Sequence, residues 1–165
     1  MYTHMPPDYI CPFCLVVQGV EDPNNKLVQS KQQDIIYQDE YVTALIATLW
    51  WPNNQGHVII IPNRHYENIF DLPLDIAAHI HKVAKQVSYA LKDCYACDGI
   101  STRQHNEPGG SQDVWHYHLH VYPRYFNDHL YLTHGSLSDP EERAGYAAKL
   151  RAWFQTQNTY KKQRI

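Results

Sequence analysis

The sequence predicts a single α+β domain in which one antiparallel sheet is flanked by two helices. Three observations predict this class. Short runs rich in β-branched residues are separated by turn residues, two stretches repeat apolar residues at helical spacing, and no low-complexity linker divides the chain. With 165 residues, 44% of them hydrophobic, the chain has enough apolar side chains for one core.

The strands are predicted from apolar runs that end at turn residues. The predicted strands cover residues 35–37, 41–46, 57–61, 99–103 and 114–122. The short link between the first two predicts a hairpin. The run 57–61 is continuously apolar after its histidine, which suits a central buried strand, and Pro62 is expected to end it.

Two helices are predicted from their apolar faces. Pro73 precedes the first. Its apolar face consists of Ile76, Ile80, Val83, Val87 and Leu91. Ser138 and Glu141 have the spacing of a capping box, which predicts a second helix over about 138–157. Its apolar face consists of Tyr146, Leu150, Trp153 and Phe154. The polar tail 158–165 is expected to fray, and the domain core is expected over about 8–128.

Charge and cysteine content exclude several classes of protein. The formal net charge is −3, which argues against a nucleic-acid partner because a phosphate backbone requires a basic surface. No apolar stretch reaches membrane-spanning length, and no basic region precedes the interrupted apolar residues 10–20. The four cysteines, without a secretion signal, indicate thiols or metal ligands. We therefore expect a cytoplasmic protein with neither nucleic acid nor membrane as its partner.

Three of the 11 histidines form a pattern. Polar and apolar residues alternate over 115–121, so His116, His118 and His120 are expected on one face of a strand. Clustered imidazoles repel each other's protons, and a neutral imidazole is a good nucleophile and a good metal ligand. The upstream loop 109–111 contains two glycines, and its backbone amides are expected to cradle an anion.

Three motifs resemble the histidine-triad family, and along the chain they follow the family's order. The first is the triad itself, His116-Tyr117-His118-Leu119-His120-Val121, followed by Tyr122-Pro123-Arg124. The second is the histidine-led strand of residues 56–65, GHVIIIPNRH. The third is Cys11-Pro12-Phe13-Cys14, similar to a cysteine pair near the start of many bacterial members. The resemblance covers roughly residues 11 to 125.

The resemblance implies a five-stranded antiparallel sheet, usually in a homodimer. It implies hydrolysis or transfer at the α-phosphate of AMP-containing substrates, either dinucleoside polyphosphates or nucleoside phosphoramidates, through a nucleotidyl-histidine intermediate. His118 matches the family's nucleophile, and His120 and His57 match the histidines that contact the phosphate. A non-catalytic nucleotide sensor with the same fold is the alternative function. A metal oxygenase is a third possibility, for which Asp113 is the only nearby carboxylate.

Several further site residues follow from the same resemblance. The phosphate-binding segment matches Gly110, Ser111 and Gln112, and the family's asparagine matches either His105 or Asn106. Asp113 stands where members often have Ser or Thr near the leaving group, so its carboxyl group is a candidate proton donor. No acid for the ribose hydroxyls occurs around 47–50. Trp50 or Trp51 is a candidate to stack on the base instead, with a core position as the alternative.

Members with the cysteine pair hold a structural zinc ion, Zn²⁺. The four matching positions are Cys11, Cys14, His65 and His116. A competing set would pair the first two cysteines with Cys94 and Cys97, which have the same spacing. A redox role for the first pair would require a thioredoxin-like setting, which the sequence after Cys14 does not offer.

Overall fold

The computed structural model describes residues 2–24 and 26–162, with side chains described up to residue 157. The helices are α1 (Pro12–Val17), α2 (Leu74–Tyr95) and α3 (Pro140–Lys162). The strands are β1 (Ile35–Gln38), β2 (Val42–Ile46), β3 (Leu49–Trp50), β4 (Val58–Pro62), β5 (Gly99–Gln104), β6 (Leu119–Arg124) and β7 (Ser136–Leu137). Short 3₁₀ turns lie at Gln32–Asp34 and Pro108–Gly110.

Five strands form the main sheet, in the order β1-β2-β4-β6-β5, and every neighbouring pair is antiparallel. The predicted α+β fold with a five-stranded antiparallel sheet is therefore confirmed. The strand that begins after His57 is central, as its apolar run predicts, and all five residues of β4 are buried. Pro62 is the last residue of this strand, as expected.

The two faces of the sheet bury different sets of residues. One face packs against α2 and α3, and here Val58 and Ile60 of β4 join the helix residues in the larger core cluster. The opposite face carries Ile59 and Ile61, which pack with Phe13 and Val16 of α1 in a second cluster. The alternation of a strand thus directs β4 into both cores.

The predicted apolar faces of the long helices are largely confirmed. Ile80, Val83, Val87 and Leu91 of α2 are fully buried, while Ile76 is half-buried at the edge of the core. On α3, Leu150 and Phe154 are buried, and Tyr146 and Trp153 pack against the same cluster. No helix in the described part of the chain is long and apolar enough to cross a bilayer.

Three local predictions differ from the structure. The triad strand begins at Leu119 and not at residue 114, because the amide of Tyr117 donates to the carbonyl of Tyr66 outside the sheet ladder. Helix α3 is capped by Asp139, whose Oδ1 accepts from the amides at 141 and 142, while the Ser138 hydroxyl donates to Thr48. The backbone of α3 continues to Lys162, beyond the predicted end at 157. Residues 163–165 of the predicted tail lie outside the described residues.

A small second sheet closes one side of the molecule. Strand β3 pairs with β7, so that Trp50 lies opposite Ser136. The indole Nε1 of Trp51 also donates to the carbonyl of Thr133, 3.1 Å away. These contacts hold residues 133–137, which precede α3, beside the sheet face that carries the histidines.

Candidate active site

A cavity of about 730 Å³ lies on the sheet face opposite α2. It is lined by residues from α1, the 26–30 loop, β4, β5, the glycine loop and the triad segment. Its polar lining side chains include His57, Arg103, His105, Ser111, Asp113, His118, His120 and His134. Four residues are predicted to be catalytic. The imidazoles of His57, His118 and His120 line this cavity, and so does the carboxylate of Asp113.

His118 is buried and held in one orientation. Its Nδ1 lies 2.8 Å from the carbonyl oxygen of His116, so the Nδ1–H donates to that oxygen and Nε2 carries the lone pair. The ring also packs edge-on against Phe13, with centroids 5.3 Å apart. Burial lowers the pKa of His118, although the hydrogen bond to His116 and the charge of Asp113 oppose this. The geometry presents a neutral imidazole with its free nitrogen unbonded to backbone.

His57 and His120 form a contacting pair next to His118. Nδ1 of His120 lies 3.3 Å from Nε2 of His57, and the rings of His118 and His120 have centroids 5.0 Å apart. Burial lowers the pKa of His57 to about 3, and the charge of Arg103 contributes in the same direction. Burial and the neighbouring imidazoles also lower the pKa of His120. The expected histidine cluster therefore forms as an uncharged surface that can take up an anion.

The glycine loop is built differently from the expectation. The amides of Gly110, Ser111 and Gln112 donate to carbonyls of residues 107 and 108 within the loop, so the predicted cradle of free amides at these residues is not formed. Ser111 contributes to the cavity lining, and Gly110 contributes a carbonyl that accepts from His105 Nδ1 at 2.6 Å.

Two predicted phosphate-binding side chains instead hold the loop in place. The amide group of Gln112 is buried and donates to the carbonyls of Glu67 and Val114. The amide of Asn106 accepts from the backbone of Ile69 and donates to Gln104. Neither side chain lines the cavity, whereas His105 does. Of the two candidates for the family's asparagine position, His105 is thus the one that lies at the site.

Of the two tryptophans considered for base stacking, Trp50 does not line the cavity and takes the core position given as the alternative. Its side chain is only 5% exposed and packs edge-on against Tyr146 of α3, as part of the core. Trp51 lines the cavity, with its ring 5.7 Å from that of His57. Neighbouring residues point to opposite sides of an extended chain, so only one of the two indoles can reach the site.

Asp113 lies at the mouth of the cavity. Its Oδ1 is 3.9 Å from Nε2 of His118, and its side chain is 73% exposed. From this position the carboxyl group can exchange a proton with a group bound at His118 while remaining in contact with water.

Sequence reasoning missed Arg103, which lies at the far end of the histidines. In the sheet it is paired with His120, and its guanidinium carbon lies 5.1 Å from the Trp51 ring centroid and 5.0 Å from that of Tyr122. A signal was available, because Arg103 ends the predicted strand 99–103 and His105 follows it by two residues, which places both side chains on one face where the chain stays extended. The pairing partner of that strand was not predictable from the same pattern.

A second cluster lies behind the triad and contains the four residues expected to bind metal. One donor atom from each of Cys11, Cys14, His65 and His116 lies within 4.8 Å of all the others. The Sγ of Cys11 is 3.2 Å from Nδ1 of His116, and the Sγ of Cys14 is 3.3 Å from Nδ1 of His65. A tetrahedral zinc ion with ordinary bond lengths places sulfur and nitrogen ligands about 3.5 Å apart, so the donor set fits.

The hydrogen bonds around this cluster favour metal ligation over thiol redox chemistry. Nε2 of His116 donates to the carbonyl of Pro62 at 3.0 Å, which leaves its Nδ1 lone pair facing the sulfurs. Burial raises the pKa of the Cys11 thiol to about 12, whereas a redox-active cysteine needs a lowered pKa. A bound cation would supply the charge that the thiolates require.

The competing cysteine set is not assembled. Cys94 donates to the carbonyl of Lys149, and Cys97 is buried in the main core. Among the side chains that the structure describes, in residues 2–24 and 26–157, the cluster described above is the one group of histidine, cysteine and acidic side chains arranged to hold a metal. His118, His120 and Asp113 are not members of that group. All four cysteines are unpaired thiols, as predicted.

The fold and the cavity together define an α+β protein with a histidine cluster at the edge of a central antiparallel strand pair. The family model described as HIT domain matches residues 28–127. The chain belongs to the HIT, or histidine-triad, family.

Individual relatives agree with this assignment. Protein hit of Bacillus subtilis is 29% identical over 115 residues, which cover 70% of this chain and 71% of the relative. Adenosine 5'-monophosphoramidase HNT1 of Saccharomyces cerevisiae is 28% identical, over 71% of this chain and 64% of the relative. The crystal structure of a zinc-bound histidine triad family protein from Mycobacterium smegmatis is 25% identical, with a TM-score of 0.70 over 89% of this chain and 96% of that one.

Proposed function

We propose that this protein is a nucleotide hydrolase or nucleotidyl transferase that acts at an α-phosphate through a nucleotidyl-histidine intermediate. The observation that carries the proposal is the orientation of His118, whose Nδ1–H is bonded to the His116 carbonyl so that Nε2 is the free nucleophilic atom. The phosphoramidase activity named for the yeast relative supports a substrate that contains an AMP group.

The reaction divides one phosphate displacement into two steps. In the first, the Nε2 lone pair of His118 forms a bond to the α-phosphorus, and the bond from phosphorus to the leaving oxygen or nitrogen breaks. The leaving atom keeps that electron pair and takes up a proton. The His116 carbonyl accepts from the Nδ1–H throughout and stabilises the positive charge that develops on the ring.

In the second step, water attacks the same phosphorus. The nitrogen–phosphorus bond breaks, its electron pair returns to Nε2, and one proton of the water passes to solvent as AMP is released. His57 and His120 hold the phosphate oxygens, and the Ser111 hydroxyl and His105 lie beside them in the cavity lining.

Asp113 is the group proposed to assist the leaving group. Its carboxyl oxygen lies near the attacking nitrogen and is open to solvent. Amines are poor leaving groups unless they are protonated, so loss of this carboxyl group affects phosphoramidates more than anhydrides. Asp113→Asn is expected to lower kcat for adenosine phosphoramidate about tenfold to a hundredfold.

We also propose a structural zinc ion at Cys11, Cys14, His65 and His116. When bound, the ion neutralises the two thiolates and fixes the segment that begins the triad, and it takes no part in the phosphate chemistry. The donor geometry and the zinc-bound relative from Mycobacterium smegmatis support this site. A homodimer and a cytoplasmic location stay predictions, and sedimentation of the purified chain tests the first of them.

The test of the proposed function is detection of the intermediate. The protein is mixed with diadenosine tetraphosphate or with adenosine phosphoramidate, quenched without acid and analysed by intact-protein mass spectrometry. The expected result is a transient added mass of AMP in the native chain and none in His118→Ala. Measurable binding of AMP without adduct or turnover for either substrate contradicts the proposal and indicates the non-catalytic sensor.

A further inference from the structure

His118, His120 and His57 form a row of contacting imidazoles, and the two ends of this row are chemically different. At one end, the Phe13 ring contacts His118, and it belongs to the apolar cluster beneath α1. At the other end, Trp51 and Tyr122 contact His57, with ring centroids 5.7 and 4.3 Å from it. A nucleotide whose α-phosphate lies at the histidines would place its apolar base towards the first end and its leaving group away from it.

Arg103 supplies a fixed positive charge at the second end. Its guanidinium lies against the rings of both Trp51 and Tyr122, and its Nη2 donates to the Tyr122 hydroxyl at 2.6 Å. Flat aromatic rings on a guanidinium restrict its motion without neutralising it. The charge therefore remains available to a ligand in the cavity.

No acidic side chain in the described part of the chain neutralises Arg103. The five ion pairs found there involve other residues. Its Nε is also buried without a hydrogen-bond partner. A half-buried cation that lacks both a counter-ion and one hydrogen bond is unfavourable unless an anion completes it. The imidazoles of His57, His118 and His120 do not supply that anion, because an imidazole is either neutral or positively charged.

We propose that Arg103, positioned by Trp51 and Tyr122, forms a second anion subsite for the oxyacid group bonded to the α-phosphate. This inference rests on the proposed function and narrows its substrate class. A nucleotide anhydride carries a second phosphate or a sulfate at this position, whereas a phosphoramidate carries an amine. The chain therefore prefers anhydrides over phosphoramidates.

Asp113 acts in the opposite direction, but its position weakens the effect. Its side chain is 73% exposed at the cavity mouth, where water and salt screen its charge. Arg103 lies in the cavity wall between two rings, where screening is smaller. The preference for anhydrides over phosphoramidates is therefore set by Arg103.

The first test measures binding without turnover. His118→Asn blocks the transfer step, and calorimetry on this background gives the Kd of AMP and of ADP. ADP is expected to bind about tenfold or more tightly than AMP, and Arg103→Met is expected to bring the ratio close to one. Arg103→Lys keeps the charge but loses the planar contacts, and an intermediate ratio is expected.

Lys26→Met is the matched control, since Lys26 is another cation at the cavity but is exposed to solvent. It is expected to leave the ratio of the two dissociation constants unchanged. Equal weakening of AMP and ADP by Arg103→Met would overturn the proposal, because Arg103 would then hold the α-phosphate or only support the fold. A ratio near one in the His118→Asn protein itself would also overturn it.

The second test measures the choice of substrate. The native chain and Arg103→Met are compared by kcat/KM with diadenosine tetraphosphate, adenosine 5'-phosphosulfate and adenosine phosphoramidate. The ratio of anhydride to phosphoramidate is expected to fall at least tenfold in the variant. A fall for only one anhydride identifies phosphate or sulfate as the group bound, and an unchanged ratio for both contradicts the subsite. A failed proposed function is recognised separately, because the AMP and ADP binding ratio requires no turnover.

Discussion

At the scale of single residues, the burial of His57 links the candidate active site to the pH dependence of stability. The folded-state pKa of about 3 lies well below the unfolded value near 6.5. Below pH 6.5 the unfolded chain takes up a proton that folded His57 does not, so the free energy of unfolding falls as the pH falls. The loss approaches about 1.4 kcal/mol per pH unit for this one group.

Urea unfolding between pH 7.5 and pH 5 tests this effect. His57→Gln is expected to show a shallower loss of stability with falling pH than the native chain, by nearly one proton below pH 6. His81→Gln, which changes an exposed histidine of α2, is the control and should keep the native slope. Identical slopes in the His57 variant and the native chain would contradict the burial argument.

Single-residue patterns predicted the chemistry of the site better than its lining. The two-residue alternation and the order of the three motifs brought together His57, His118 and His120, which the structure places in contact. Whether Trp50 or Trp51 lines the cavity depends on which side of the chain meets α3 at the end of β3. No local pattern contains that information, since it is decided by packing against Tyr146, about a hundred residues away in sequence.

At the scale of elements, the turn before β4 places His57 through Gly56. This glycine has a φ of +72°, and a Cβ on it would overlap the ring of Tyr146. Gly56→Ala is expected to destabilise the fold by about 2–4 kcal/mol, since it adds backbone strain and displaces a packed ring of α3. Denaturant unfolding measures the change, and loss of AMP binding should accompany it because His57 shifts.

Gly145→Ala provides the opposite expectation on α3. This glycine lies inside the helix with nothing within 4 Å of the added Cβ. Replacement is expected to stabilise the protein by about 0.5–1 kcal/mol through the reduced backbone entropy of the unfolded chain. Gly56→Ala and Gly145→Ala are thus expected to change the free energy of unfolding in opposite directions. A change of the same sign and size in both would contradict the roles given to steric overlap at Gly56 and helix propensity at Gly145.

A buried ion pair fastens α3 to the loop that borders the cavity. Arg143 and Asp34 are 1% and 0% exposed, and Arg143 also donates to the carbonyl of Gln29. Burial raises the pKa of Asp34 although Arg143 opposes this, so desolvation outweighs the attraction of the pair. The interaction therefore specifies a position for α3, while its removal leaves a buried charge without a partner.

Arg143→Met is expected to lower the free energy of unfolding by about 3–5 kcal/mol. The control is Arg151→Met, because Arg151 bonds only to backbone carbonyls at the surface and should cost about 1 kcal/mol. Chemical denaturation of both variants gives the comparison. A cost for Arg143 no larger than that for Arg151 would show that the buried pair contributes little.

Element types were more predictable from the sequence than element ends. The helix over Leu74–Tyr95 and the central strand follow from periodicity, which reports the environment of whole faces. The late start of β6 does not, because it depends on the bond from the Tyr117 amide to Tyr66. Likewise, α1 over the cysteine motif is only six residues long, too short to produce a helical repeat.

At the scale of the whole molecule, the proposed zinc site joins segments that are distant in sequence. Cys11 caps the N-terminus of α1, Cys14 lies within α1, His65 follows β4, and His116 precedes β6. The pair of cysteines thus connects the chain's start to both central strands. Because His116 also supplies the carbonyl that orients His118, the proposed metal site and the proposed nucleophile share one segment.

Loss of one thiol should therefore destabilise the second core cluster and the triad segment together. Cys14→Ser is expected to lose zinc and to lower the Tm by about 10 °C or more, since the binding energy of a structural zinc ion contributes directly to folding. Metal analysis and thermal unfolding of the purified chain measure the two effects. Cys94→Ser is the matched control, because this thiol lies outside the metal cluster and donates to the Lys149 carbonyl, which a hydroxyl can also do. One equivalent of zinc retained in Cys14→Ser, with an unchanged Tm, would contradict the site, while equal losses in both variants would point to a general effect of removing a thiol.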